Sequence, residues 1–427
     1  MLWYQIFEDG VEYEQRVGKP FVPPEITIKQ VWEVVPKHLF KRSTAKSLYY
    51  ISRHMLVTYL LYVFAQNIDQ VVSTLGGTPL AQQVLRVICW AGYWSFQGFA
   101  FAGIWCIGHD AGHGALSDLG IVNDVLGLFL HSIVLTPYHA WRFTHRAHHK
   151  ATQSYERDET FMPFLRSDFK LPDGKVAVRM DYAEILEETP AFTLFRLFVR
   201  QFFGFQLYLL HNRKGNRRYP AFTSHYRPSS QLFKSVERPA IILSNVSILV
   251  MFALIGIYIQ NKGWNSVMKY YFMPWLFQHN WMVMFTYLQH SDPTIPYYRK
   301  DEWTFVRGAL ATVDRPLFGW IGRLFLYNIA TDHVAHHFFS TVPFYNLPEV
   351  TKAIKPVLGE YYSHDSTGVL AALWRSFTQC VFIEDEGDIV FYKNRFGETV
   401  VPLDAKAKSK GSKKPVNSAE QAEMIIN

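Results

Sequence analysis

Long apolar runs alternate along this chain with polar stretches dense in histidine. A membrane-crossing helix takes ~20 mostly apolar residues, and residues 240–259 supply such a run without one charge. Residues 87–107 form a second, also uncharged, ending two positions before His109. A third, 270–288, carries Gln278, His279 and Asn280 in its middle, which predicts a face turned to protein or a cavity, not to lipid. The first run, 47–68, contains Arg53, whose long stem is expected to snorkel to an interface. Two further stretches are weaker. Residues 119–138 hold Asn123, Asp124 and His131 and read as a re-entrant or interfacial helix. Residues 192–210 place Arg196 and Arg200 at helical spacing, the pattern of an amphipathic interfacial helix.

Nine of the 17 histidines fall beside these runs. They are His109 and His113; His145, His148 and His149; His333, His336 and His337; and His290, just past the third run. Residues three or four apart share a helix face, so each cluster can aim its imidazoles at one point, and adjacent pairs can reach two neighbouring metals. An all-imidazole set favours Fe, Cu, Ni or Zn over Mg or Ca. A structural zinc takes four ligands and a mononuclear catalytic site three; nine are too many for one ion and suit two. Soluble di-iron bundles use Glu and Glu-x-x-His motifs. The same geometry with His in place of carboxylates, set at a membrane surface, suits oxygen activation against a lipid-borne C–H bond.

The parity of the runs matters here. With four crossings in two hairpins, all nine histidines fall on one side; a crossing at 119–138 would separate the first two clusters. The predicted fold is therefore an all-α membrane protein of four transmembrane helices in two hairpins, with a cytoplasmic helical cap holding a His-rich di-iron site. Asp110, Asp158 and Asp332 are expected to accept the second N–H of ligand imidazoles, and Glu159 to pair with Arg157 or Arg146. His131 and His139 complete no cluster, and His279 fits a buried polar network better than a ligand role.

Charge orients this picture. Arg16, Lys19, Lys29, Lys37, Lys41, Arg42 and Lys46 precede the first run, residues 70–83 contain no Lys or Arg, and the loop between the last two runs has only Lys262. The positive-inside rule puts both termini and the nine histidines in the cytoplasm. The net charge of +7 crowds beside apolar runs and in the tail, unlike a nucleic-acid stripe, so no nucleic-acid partner is expected. At 49% hydrophobic and 16% aromatic residues the chain is too apolar for disorder. Cys89, Cys106 and Cys380 are expected as free thiols. No cleaved signal is expected at the N-terminus. Residues 1–46 read as a cytoplasmic segment, 47–403 as the catalytic domain, and 404–427, with five lysines from Lys406 to Lys414, as a solvated tail.

Beyond the histidines, several stretches carry a family likeness: Val35-Pro-Lys-His-Leu-Phe-Lys-Arg-Ser43, Thr136-Pro-Tyr-His-Ala-Trp141, Glu156-Arg-Asp-Glu-Thr-Phe-Met-Pro163, Thr286-Tyr-Leu-Gln-His290, Gly308-Ala-Leu-Ala-Thr-Val-Asp-Arg315 and Pro343-Phe-Tyr-Asn346. From about residue 23 to 391 the chain resembles the membrane fatty-acid desaturases, in particular the methyl-directed delta-12/omega-3 group of fungi and plants. The resemblance implies a mushroom-shaped endoplasmic-reticulum protein with the nine histidines as ligands to two Fe ions, O2 as co-substrate and a membrane lipid acyl chain as substrate. Electrons in this family come from cytochrome b5 and its reductase; no His-Pro-Gly-Gly haem motif occurs here, which implies a separate donor. The expected reaction is delta-12 desaturation of oleoyl to linoleoyl chains. Typical delta-12 members have Glu and Cys where this chain has Asp110 and Ala111, and Asp there resembles omega-3 desaturases and acetylenic-bond formers. The alternatives are thus an acetylenase or omega-3 desaturase acting on linoleoyl chains, then a His-rich membrane hydroxylase. A metal transporter would need polar groups at mid-membrane, whereas these histidines gather at one face. The acyl carrier, and homo- or hetero-oligomerisation, stay open.

Overall fold

Residues 7–403 are described by a computed structural model; the lysine-rich stretch from 404 onward lies outside the described residues. The fold is mostly helical. Each predicted apolar run is a helix: Thr44–Gln66 (α1), Pro79–Gly112 (α2), Arg238–Lys262 and Met273–His290, the last preceded by a π-turn at Met268–Phe272. Between them lie Gly120–Ile133 (α3), Tyr138–His149 (α4) and Pro190–His211 (α5). The two later apolar helices are α6 and α7 in chain order, and His333–Phe338 is α8.

Local chemistry sets the ends of these helices. Ser43, Thr78 and Thr189 each accept a hydrogen bond from a first-turn backbone N–H, and Pro79 and Pro190 follow two of these caps. Asn212 ends α5 in the left-handed region at φ 51°.

Among the described residues one helix, Ser235–Lys262, is long and apolar enough to cross a membrane by itself. Thr44–Gln66 with Ile68–Thr74, bent by 45°, and Gly120–Ile133 with Tyr138–His149, bent by 108°, pass the same test only as pairs. The second bend occurs at Leu135, itself left-handed at φ 55°, just before Pro137. It turns the chain from α3 into the helix that carries the second histidine cluster.

α2 is the spine, flanked by α7, α3 and α1, while α5 packs on α7. Close approach needs Gly108, because a Cβ there would sit 2.2 Å from Cδ2 of His131 on α3. That contact explains His131: its Nε2 meets the Trp105 carbonyl at 3.1 Å and its ring stacks on Trp105. On α7, Gln278 and His279 are fully buried; His279 meets Gln206 at 2.9 Å and the Trp275 carbonyl at 2.7 Å. The polar middle of the third run thus faces protein, as its pattern predicts. The Arg53 guanidinium donates to the Leu324 carbonyl at 3.0 Å and lies over Tyr50.

The strands among the described residues are two-residue pairs: Phe164–Leu165 parallel to Phe382–Ile383, and Tyr297–Tyr298 antiparallel to Ile389–Val390. They join the segments after α4 and after α7 to the C-terminal region. A buried ion cluster ties three distant parts of the chain together. Arg315 donates to Asp292 at 2.6 Å and also to Asp365; Arg375 donates to Asp365 and Asp9. Arg16 adds hydrogen bonds to Thr294 at 2.9 Å and the His364 carbonyl at 2.6 Å. The three cysteines are free.

Candidate metal centre

The nine histidines come from four helices: α2 supplies His109 with His113 just past its end, α4 supplies three, α7 one and α8 three. Two nitrogen groups result. In one, a ring nitrogen from each of His109, His113, His145, His149 and His336 lies within 4.8 Å of all the others; in the second, His148, His290 and His337 do the same. His333 joins the second group, with its Nε2 3.0 Å from Nε2 of both His290 and His337. The adjacent pairs therefore split: His148 and His337 face one group, His149 and His336 the other.

These distances fit metal coordination. Two nitrogens at right angles on one ion, each at ~2.1 Å, are about 3.0 Å apart. Several buried ring nitrogens have no hydrogen-bond partner, Nε2 of His113, His148 and His336 among them. An orphaned buried polar atom costs ~1–3 kcal/mol; one cation in each group would satisfy all three.

Second-nitrogen contacts fix which atom faces the site. Nδ1 of His109 meets Asp110 at 2.9 Å, and Nδ1 of His148 meets Asp158 at 2.6 Å. Asp158 is itself held by N–H groups of Gln153 and Thr160. Nδ1–H of His333 donates to the Ile329 carbonyl at 2.9 Å. Thr152 donates its hydroxyl hydrogen to the His148 carbonyl, leaving its oxygen to accept from Nδ1 of His337 at 3.2 Å. In all four rings Nε2 is left with its lone pair towards the cluster, the arrangement metal ligands need.

Burial pushes His109 down to about 3, and it drives His113, His145, His149, His290, His333, His336 and His337 well below the usual histidine range; neighbouring imidazoles add to the effect in each. The rings are thus neutral and able to ligate. Burial also raises Asp314 to about 8. This side chain accepts from the Val334 N–H at 2.8 Å and from the Tyr362 hydroxyl at 2.6 Å, fixing the start of α8.

Two expected partnerships are corrected. Asp332 pairs with Arg323 at 3.0 Å and with Thr331, because the Ile329 carbonyl reaches His333 first. Glu159 pairs with Arg218 and Tyr219, whose loop folds over it, in place of Arg157 or Arg146. His131 and His139 stand outside both groups, as read from sequence.

A cavity of about 680 Å³ reaches His109 and His145 of one group and His148 and His290 of the other. Trp105, Trp141, Phe205 and Phe285 are among its walls. Its size lies within the ~300–1,000 Å³ of small-molecule sites. On the far side of the cluster, a polar pocket of about 230 Å³ touches His113 and His149 and is lined by Arg42, Arg142, Arg146 and Lys150. Sequence reasoning missed Thr152, the Ile329 carbonyl and the cavity wall. Only Thr152 left a trace, one turn beyond His148.

Known proteins resemble this chain in sequence. The chain is 38% identical over 375 residues to a delta-12 fatty acid desaturase of Mortierella isabellina, covering 87% of this chain and 91% of that protein. A delta-12 desaturase of Vernicia fordii is 38% identical over 384 residues (88% and 94%), and an oleate hydroxylase of Claviceps purpurea 35% over 407 (88% and 83%). Residues 88–368, which contain all nine histidines, match the family described as fatty acid desaturase, and the chain belongs to that family.

Proposed function

We propose that this chain is an acyl-lipid delta-12 desaturase that converts oleoyl to linoleoyl chains, with the nine histidines holding two iron ions. The observation that carries this reading is an apolar cavity that meets both nitrogen groups. Bound there, the two irons supply the redox chemistry by which O2, two electrons and two protons take two hydrogens from adjacent methylenes, giving one cis double bond and two waters. The protein's part is positional. Trp105, Trp141, Phe205 and Phe285 exclude water and hold the acyl chain against the cluster, which places one methylene pair within reach. Asp110, Asp158, Thr152 and the Ile329 carbonyl keep each ring's proton on Nδ1.

In this reading α1, α2, α6 and α7 cross the endoplasmic-reticulum membrane as two hairpins, with both termini and the centre cytoplasmic. Residues 47–403 form the catalytic unit, between the segment 1–46 and the tail 404–427. Electrons come from a separate cytochrome b5 and its reductase, and the polar pocket beside His113 and His149 offers them a route. Apolar helix lengths, the scarcity of positive charge in residues 70–83 and the similarity to delta-12 desaturases support these assignments. Expression in yeast followed by fatty-acid profiling tests them: a methyl-side diene made from oleate is expected. The oleate hydroxylases of Claviceps purpurea and Ricinus communis, at 35% and 37% identity, favour 12-hydroxylation as the second reading; a hydroxylated product without diene would establish it. A new bond only in added linoleate would assign an acetylenase or omega-3 desaturase.

A further inference from the structure

The cavity is apolar beside the metal centre and ends among cations. Arg196, Arg200, Arg213, Lys214 and Arg395 all line it, with Glu188 as the one carboxylate on its wall. Glu188 pairs with Arg196. Among the described residues, no carboxylate lies within salt-bridge distance of the other four cations.

Two of these cations are set into the protein. The Arg200 guanidinium lies over Tyr287 and Phe377, at 4.4 and 4.7 Å from their centroids, yet its Nη1 is buried without a hydrogen-bond partner. Lys214 Nζ sits 3.2 Å from the centre of Phe164, and the Met162 carbonyl at 3.5 Å is the one acceptor it reaches among the described residues. Burial drives the Lys214 ammonium well below the usual lysine range, and Arg200, Arg217, Arg213 and Arg196 push it the same way. Arg196 is lowered by burial and then by Arg200, Arg395 and Arg213. Like charges therefore face one another across a space that the chain does not fill. Such a gathering is unfavourable unless an anion joins it. A tetrahedral oxyanion presents several acceptors at once, which suits guanidinium forks and an ammonium together.

We propose that Arg200 and Lys214, with Arg196, Arg213 and Arg395 around the opening, form a headgroup subsite that binds the phosphate of the acyl carrier. The proposal rests on reading the cavity as the acyl site. The shared chemistry is a phosphate ester, present in a glycerophospholipid and in acyl-coenzyme A and absent from a neutral glyceride. The subsite seats the polar end of the substrate while the chain runs along the aromatic wall to the histidines.

Equilibrium binding tests this without turnover. Metal-loaded protein in nanodiscs, with no electron donor, is titrated with oleoyl lysophosphatidylcholine, oleoyl-coenzyme A and monooleoylglycerol, the last sharing the chain but not the phosphate. At least one phosphate-bearing ligand should bind about tenfold or more tightly than monooleoylglycerol, the scale of one charge-assisted hydrogen bond; which one does so identifies the carrier. Arg200→Gln combined with Lys214→Gln should bring that ratio close to one, and Lys214→Arg alone should retain most of it. Metal content and melting temperature check that the variants fold. Equal affinities in the wild type, or a ratio that survives the double substitution, would overturn the proposal. Diene formation is assayed separately, and its absence would defeat the desaturase reading while leaving the binding ratio to be judged by itself.

Discussion

His148 and His149 are neighbours in sequence, yet their rings serve different nitrogen groups, with centroids 5.6 Å apart and planes inclined at 76°. His336 and His337 divide in the same way, at 5.8 Å and 85°. One short helix from each side thus feeds both groups. His148→Ala and His149→Ala should each abolish product and each lower the metal content from about two ions per chain towards one, from opposite groups. Elemental analysis of the purified variants reads this out. His131→Ala, outside both groups, should keep its metal; equal loss there would contradict the assignment.

Asp158 acts through His148, because it accepts the Nδ1 proton while two backbone N–H groups hold its own carboxylate. Asp158→Ala should weaken metal affinity or activity by ~10–100-fold. The neighbouring Glu159→Ala should do far less, since Glu159 is bound to Arg218 and touches no ligand ring. Chelator competition on the two variants separates them.

Arg315 neutralises Asp292 and Asp365, both fully buried. Arg315→Leu leaves that pair with too little positive charge and should destabilise the protein by ~3–5 kcal/mol, the usual effect of breaking a buried ion pair. Thermal melting in detergent should show the loss. An unchanged melting temperature would mean that the cluster is dispensable.

Glu384 ties part of the stability to pH. Burial raises its carboxyl, but hydrogen bonds from Arg166 and Lys393 outweigh this and bring it down to about 2. A depressed carboxyl contributes stability that is fully present above its unfolded value of ~4.3 and lost as pH falls through the folded value. Glu384→Gln should therefore melt below the wild type at pH 7, with the gap closing between pH 4 and about 2. A gap independent of pH would rule out this ion pair as the cause.

Topology is open to a direct measurement. A glycosylation site engineered near Gly77 should be modified, and one in the exposed loop at Lys175 should not. Modification at Lys175 would mean that 119–138 crosses the membrane, which no shared metal centre could survive.

The grouping of the histidines was legible because each cluster is short enough for helical spacing to hold, and because His290 closes an apolar run. Asp110 and Asp158 were legible as acids within or near those clusters. The Ile329 carbonyl was not: it meets His333 because Tyr327 and Asn328 both turn left-handed just before α8, at φ 53° and 65°, which no residue type there announces. Asp332 was misread since Arg323 arrives from a preceding helix, and the acceptor of Arg53 was illegible because it lies 271 residues away. The cavity wall was illegible for the same reason. Trp105, Phe161, Arg200, Met282 and Phe377 come from five separate segments that only the fold assembles.

The ion cluster around Asp292 also imposes an order on biogenesis. It adjoins His290 in the chain, but its partners come from residues 9–16 and 365–375. While a ribosome is still making the last third of the protein, the histidines of the first seven helices have neither the third cluster nor this clamp. The two nitrogen groups are complete only once synthesis has passed His337, and the clamp only once it has passed Arg375, so the cage closes late in synthesis.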